Sequence, residues 1–311
     1  WVKHQENLVS KIIFQVQKTQ QLMNNETEGE WLYVIDSRQK LLDFNFKEIW
    51  RYRDLLMLFV RRDIVATYKQ TILGPLWYLI QPLFTSVVFT LVFNNIATIK
   101  TGSAPPFLFN LAGVTLWGYF MQCLTNSSNT FASNAGLFSK VYFPRLISPL
   151  SQAISSLFKL GVQILIFMAF YIYYVLKGKN LSPEPEIWLF PLLIVVLAIF
   201  GLGVGMIISS LTTKYRDFRI LIGFATTLLM YVSAVMYPLS EVENSATLSS
   251  YSWIVEYNPI ALIIEAFRYM TLGEGYFNIV TLSYCTGISI LLFLIGLAVF
   301  NRTGKNFIDT I

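Results

Sequence analysis

Six stretches of this chain stay apolar for twenty residues or more, and any fold must first accommodate them: Leu76–Ile96, Phe107–Ser127, Leu150–Leu176, Ile187–Leu211, Phe218–Tyr237 and Ile279–Phe300. About 20 residues of helix cross the roughly 30 Å hydrocarbon core of a bilayer. Lipid offers no partner to a bare N–H or C=O, so each segment has to satisfy its own backbone, which a helix does. Composition agrees. Of 311 residues 55% are hydrophobic and 13% charged, against about 25% charged in an ordinary soluble domain. Mean hydropathy is +0.55. The expectation is an all-α integral membrane protein with six transmembrane helices. The second segment is the weakest, because Gln122, Thr125 and Asn126 thin its end.

The distribution of lysine and arginine sets the orientation. With the N-terminus inside, residues 1–75 hold eleven of them. The inside loops add Lys140, Arg145, Lys214, Arg216 and Arg219, and the tail adds Arg302 and Lys305. Lys100, Lys177, Lys179 and Arg268 are the four outside, and Lys159 lies within a segment. The acids are complementary: Glu184, Glu186, Glu241, Glu243, Glu256, Glu265 and Glu274 all fall outside. The net charge of +5 is therefore a feature of the inner membrane surface, which faces anionic lipids. It is not a nucleic-acid footprint.

Ahead of the first span runs Leu55–Pro82, LLMLFVRRDIVATYKQTILGPLWYLIQP. Leu55, Leu58, Phe59, Arg62 and Ala66 fall near one stripe of a helix, with Arg61, Asp63 and Lys69 around the rim. Such a helix lies along a membrane surface, and Gly74-Pro75 is the elbow into the membrane. The domains expected are a polar segment 1–45, an interface helix 46–74, a transmembrane domain 76–300 and a tail 301–311. Residues 1–22 are read as an upstream extension or a non-native addition, or, if native, as a second interfacial segment, and Trp31–Ile35 as a short β-prone or interfacial stretch.

Three connecting segments stand out. In the first inside loop, Asn134–Tyr142 is expected as a short helix stopping before Phe143-Pro144. It offers Phe138, Val141 and Tyr142 as an apolar face beside Lys140 and Arg145. On composition it is an ordinary interfacial loop, and a docking knob is the sharper alternative. The second inside loop, Thr212–Ile220, carries Lys214, Tyr215, Arg216 and Asp217, read as an ion-pair site. The outside segment Pro238–Asn278 holds Asn258-Pro259 and an apolar run too short to cross. There Glu265 and Arg268 share a helical face and can pair. Pro259 suits a first turn and Gly273 a C-terminal cap. Backbone of this kind at membrane depth is tolerated inside protein or beside a wet cavity, so an outer re-entrant helical hairpin is expected. For Lys159 two placements fit: a pathway charge, or a side chain snorkelling to the inner interface.

Taken together, these segments resemble the membrane subunit of ABC-2-type transporters that export polysaccharides, namely O-antigen, capsule or teichoic acid permeases. The entry segment carries the likeness in Arg62, Asp63, Tyr68, Lys69, Gly74, Trp77 and Pro82. LFSKVYFPR, the Tyr215-Arg216-Asp217 cluster and YNPIALIIEAFRYMTLG follow in the family's order. The resemblance implies the ABC-2 (type V exporter) permease fold, a homodimer and a separate ABC ATPase subunit that binds ATP and Mg. It implies export of an undecaprenyl-diphosphate-linked polysaccharide across the bacterial inner membrane, with both termini cytoplasmic. Phe138, Ser139, Lys140, Val141, Tyr142, Phe143, Pro144 and Arg145 then become the ATPase-coupling segment. Arg61, Arg62, Asp63, Tyr68, Lys69 and Gly74 belong to the interface helix, and Asn258, Pro259, Glu265 and Arg268 to the outer gate. Trp77, Tyr78, Phe84, Trp117 and Tyr119 are candidate channel aromatics.

No GxxxxGK[ST] loop occurs, so ATP binding in the P-loop manner falls to a partner. No catalytic, metal or cofactor residues are assigned. Cys123 and Cys285 sit in apolar segments as packing residues. Two alternatives are an ABC-2 permease for a drug or lipid and, further off, a membrane-embedded transferase.

Overall fold

A computed structural model describes residues 14–15, 17–18, 46–68, 74–138, 140–141, 143–215, 217–243 and 251–307. The expectations for Lys69, Ser139, Tyr142, Arg216, most of residues 1–45 and the last four residues lie outside these, as do the side chains of Tyr68 and Arg219. Among the described residues every regular element is helical.

Two short elements open the chain, α1 (Phe46–Arg51) and α2 (Arg53–Tyr68). On α2, Leu55, Phe59 and Val60 are buried while Arg61 and Met57 face out, the one-sided pattern expected of a surface helix. Gly74 takes φ +47°, a left-handed turn that glycine adopts without a Cβ penalty, and starts a single 3-10 turn, Gly74–Leu76. Next come α3 (Trp77–Phe89) and a π-helical continuation, Thr90–Ile96. There the buried Asn110 amide donates to Thr90 Oγ1 at 3.1 Å and Asn94 Oδ1 at 2.8 Å, holding the widened turn against α4 (Pro106–Ser128).

The remaining long helices are α6 (Ile147–Leu176), α7 (Phe190–Lys214, after the 3-10 turn Pro185–Leu189) and α12 (Ile279–Phe307). Five helical stretches are long and apolar enough to cross a membrane: Trp77–Ile96, Pro106–Ser128, Ile147–Leu176, Pro185–Lys214 and Ile279–Gly304. They match five of the six expected.

The sixth expected segment is shorter than its sequence promised. It forms α8 (Phe218–Val232), 15 residues or about 22 Å of rise. The chain turns at Ser233, and Ala234 adopts φ +50°. The apolar run continues to Tyr237, but the carbonyls of Ala234, Val235 and Tyr237 are taken by the Arg268 guanidinium and not by a further helical turn.

At the centre of the bundle lies α4, packed on α6 and α7, with α7 also against α12. Close backbone approach is what joins them. A Cβ at Gly201 would stand 2.8 Å from Cys123 Cβ, and one at Gly205 2.7 Å from the Leu124 carbonyl. This is the small-xxx-small spacing that lets spans touch without a hydrophobic drive between them. Gly203 and Gly296 meet in the same way between α7 and α12.

Candidate functional site

Two ends of the bundle gather the residues that sequence singled out. At the acidic end lie α9 (Leu239–Glu243), α10 (Ser252–Glu256) and α11 (Pro259–Leu272). Asn258 caps α11: its Oδ1 accepts from the Ile260 N–H at 3.0 Å. Its amide donates to Ser233 Oγ at 3.0 Å and to the Val232 carbonyl at 3.2 Å, tying α11 to the end of α8. Pro259 occupies the first turn and Gly273, at φ +70°, the left-handed C-cap, both as the sequence predicts.

The Glu265–Arg268 pair forms at 2.9 Å with both side chains buried. Arg268 is 0% exposed. It donates to the Ala234 and Val235 carbonyls, each at 2.7 Å, and to Phe109 at 3.3 Å, and its guanidinium stacks on the Phe109 ring. Gly113 makes room, since a Cβ there would lie 2.6 Å from Arg268 Nη2. A buried guanidinium needs this many acceptors to offset its lost hydration. Beside the pair opens a cleft of about 820 Å3, lined by Glu241, Glu256, Glu274, Tyr257, Tyr276 and Tyr284 among others. Glu274 closes one rim by accepting from the Ser103 N–H and Oγ–H, both at 2.7 Å. The sequence reading missed Phe109, Gly113 and Ser103 as partners. A glycine in mid-span was the available signal for Gly113.

At the basic end α5 (Thr130–Phe138) ends four residues earlier than expected. Of the apolar face expected from Phe138, Val141 and Tyr142, the Phe138 ring turns into the chain's own core, and so does the neighbouring Phe143. Phe138 is 6% and Phe143 4% exposed. Their rings pack 5.5 Å apart, and Phe143 meets Phe59 of α2 edge-on at 5.7 Å. Phe131 stacks on Phe300 at 4.5 Å. The loop is thus stitched to α2 and α12, because large rings gain more from burial than from display. Among its described residues Lys140 is exposed, and Val141, Pro144 and Arg145 are half-buried. Nearby, Arg62 is held between the Asp63 carboxylate at 2.8 Å and the face of Phe59 at 4.5 Å. Burial pushes the Asp63 carboxyl up from its ordinary value, and Arg62 opposes that shift.

In the second loop, Lys214 lies over the Tyr215 ring at 5.3 Å. Lys214 and Asp217 form no ion pair among the described residues, so the paired site expected there is not assembled from these two. Of the aromatics, Trp117 and Tyr119 are 8% and 2% exposed; they pack between helices of this chain and do not face an open surface. Trp77 and Phe84 are exposed, at 51% and 69%. Tyr78 lies under Lys159.

Comparison with known proteins agrees with this architecture. The ABC-2 type transporter family matches residues 54–272, from the surface helix through α11. An O-antigen export system permease protein RfbA of Klebsiella pneumoniae is 27% identical over 257 residues, 82% of this chain and 94% of the relative. One from Myxococcus xanthus is 22% identical over 267 residues, covering 85% and 98%. With five spanning helices, a surface helix and a family match over most of its length, this chain belongs to the ABC-2 type transporter family.

Proposed function

We propose that the chain is the channel-forming subunit of an ATP-driven exporter. It moves a lipid-linked polysaccharide outward across a bacterial inner membrane, with the basic end in the cytoplasm. Relatives named O-antigen export permeases, aligned over nearly their whole length, carry this reading. The ATPase is a separate subunit that docks at the basic end, around exposed Lys140 and the segment 139–145.

Six crossings fit the contacts. Lys214 ends α7 at the basic end, while the segment leading into α12 holds Ser103 through Glu274 at the other. The chain between them has to climb the bundle. Most of that climb is α8, and α9 to α11 fold back as a re-entrant hairpin whose buried Arg268 seals the top of α8. The apolar faces left open favour a homodimer. On α8, Ile220, Leu221 and Phe224 are 80%, 57% and 65% exposed, and a single bundle of this size encloses no polymer-wide passage. Charge-poor walls with rings such as Trp77 and Phe84 suit a sliding glycan.

The decisive experiment co-purifies the chain with the ATPase encoded beside it and measures hydrolysis in lipid, with and without lipid-linked polysaccharide. A stable complex with two copies of each, responding to the polymer, supports the reading. A complex indifferent to every lipid-linked glycan assigns the chain to another ABC-2 substrate. Absence of any complex reopens the transferase alternative.

A further inference from the structure

A second cavity, of about 280 Å3, lies where α2, α3, α4 and α6 meet. Lys159 forms part of its wall, with Nζ 5.0 Å from the centre of the Tyr78 ring. Gln122, Asn126, Gln152, Ser155 and Ser156 add polar lining, with Asp63 at the border. The ion pairs among the described residues are Arg53–Asp54, Arg62–Asp63 and Glu265–Arg268, so the Lys159 ammonium has no carboxylate partner there. Asp63 borders the same cavity, but its charge is engaged by Arg62 at 2.8 Å. Two oxygens of cavity-lining residues are buried without a hydrogen bond, Gln152 Oε1 and the second carboxylate oxygen of Asp63, Oδ2. Turning the Gln152 amide over presents its N–H groups to the cavity instead.

Depth distinguishes the two placements of Lys159. Asp63, Ile64 and Ala66 of α2 line the same cavity. If α2 lies on the membrane surface, the ammonium stands at the level of the lipid headgroups and not at the bilayer centre. A half-buried cation beside lipid, ringed by amides and hydroxyls, is costly while it lacks a counter-charge. The anion that the leaflet itself supplies at this depth is phosphate. The volume lies just below the roughly 300–1,000 Å3 typical of small-ligand pockets, enough for a phosphate group and not for a sugar chain.

We propose that this cavity binds the phosphate or diphosphate group of a membrane lipid. Lys159 is the counter-charge, and Gln122, Asn126, Gln152 and Ser155 are the hydrogen-bonding wall. That the lipid is the carrier of an exported glycan rests on the proposed function above; the phosphate chemistry does not.

The test uses the full chain in a phosphate-free maltoside detergent, with native mass spectrometry reading the bound lipid. Undecaprenyl diphosphate is the first probe and phosphatidylglycerol the second, with inorganic diphosphate as competitor. Lys159→Gln is expected to weaken lipid binding at least about tenfold, the loss of one charge-assisted contact, and Lys159→Arg to restore most of it. Elution at the wild-type position on size exclusion shows that the variants are folded. Displacement of the lipid by inorganic diphosphate supports recognition of the phosphate group alone. Equal binding by wild type and Lys159→Gln overturns the site and leaves the exporter reading intact. Lys159-dependent binding of phosphatidylglycerol but not of undecaprenyl diphosphate upholds the site and counts against a lipid-linked substrate. Failure of the wild type to bind either lipid overturns the site.

Discussion

The Arg268 guanidinium lies 3.6 Å from the centre of the Phe109 ring, joining the hairpin helix α11 to the start of α4. The same group holds the carbonyls where α8 stops and the Glu265 carboxylate. One side chain thereby fixes three elements at the acidic end. Its removal leaves Glu265 charged and buried and frees the unwound turn. Arg268→Met is expected to cost about 3–5 kcal/mol, the range for breaking a buried pair from one side. Glu265→Gln costs less, since the carbonyl acceptors remain. Thermal unfolding in detergent reads both, and a melting point for Arg268→Met equal to that of the wild type would refute this role. Arg268→Lys fails as well, because one ammonium cannot reproduce a planar fork.

Phe143 and Phe138 separate stability from coupling. Both rings are buried against α2 and each other, so Phe143→Ala is expected to destabilise the protein by about 3–5 kcal/mol. Lys140→Ala, at an exposed position, leaves stability unchanged within about 0.5 kcal/mol and weakens the link between ATP hydrolysis and export. A melting temperature for each variant beside a transport-to-hydrolysis ratio checks this. If Phe143→Ala keeps wild-type stability and loses coupling, the ring faces a partner after all.

These outcomes mark what was legible in the sequence. Hydropathy and length placed five spans to within a few residues, because burial in lipid is written residue by residue. Spacing alone found the Glu265–Arg268 pair, the Pro259 start and the Gly273 cap, since all three are local. What escaped depended on distant neighbours. Nothing in AVMYP shows that its carbonyls belong to Arg268, so α8 was read five residues too long. Phe143 reads the same in the sequence whether its ring meets a partner or Phe59. Sequence also does not say that Trp117 and Tyr119 face inward.

The glycines of α6, α7 and α12 offer a cleaner contrast. A Cβ at Gly203 would stand 2.6 Å from the Phe293 backbone nitrogen, while nothing lies within 4 Å of one at Gly161 or Gly287. Gly203→Ala is expected to destabilise by about 1–3 kcal/mol through overpacking. Gly161→Ala and Gly287→Ala are expected to be neutral or to stabilise by up to about 1 kcal/mol through helix propensity. Unfolding midpoints of the three variants test the difference. A Gly203→Ala protein as stable as the other two would mean that α7 and α12 are not in backbone contact.

Asp63 carries the acid dependence of the surface helix. Burial raises its carboxyl above the ordinary 3.8, with Arg62 pulling the other way. A raised folded-state pKa means that the folded protein holds the proton more tightly than the unfolded chain does. Stability from this group is complete below about pH 3.8 and is lost as pH rises through the raised value. Asp63→Asn removes that slope. The variant is expected to be at least as stable as the wild type at neutral pH, and the difference should close on acidification. Melting temperatures of both proteins from pH 3.5 to 7 give the answer. A wild type that gains on the variant as pH rises would show that the Arg62 pairing outweighs burial, making the ion pair, and not the depth of α2, the dominant influence on this carboxylate.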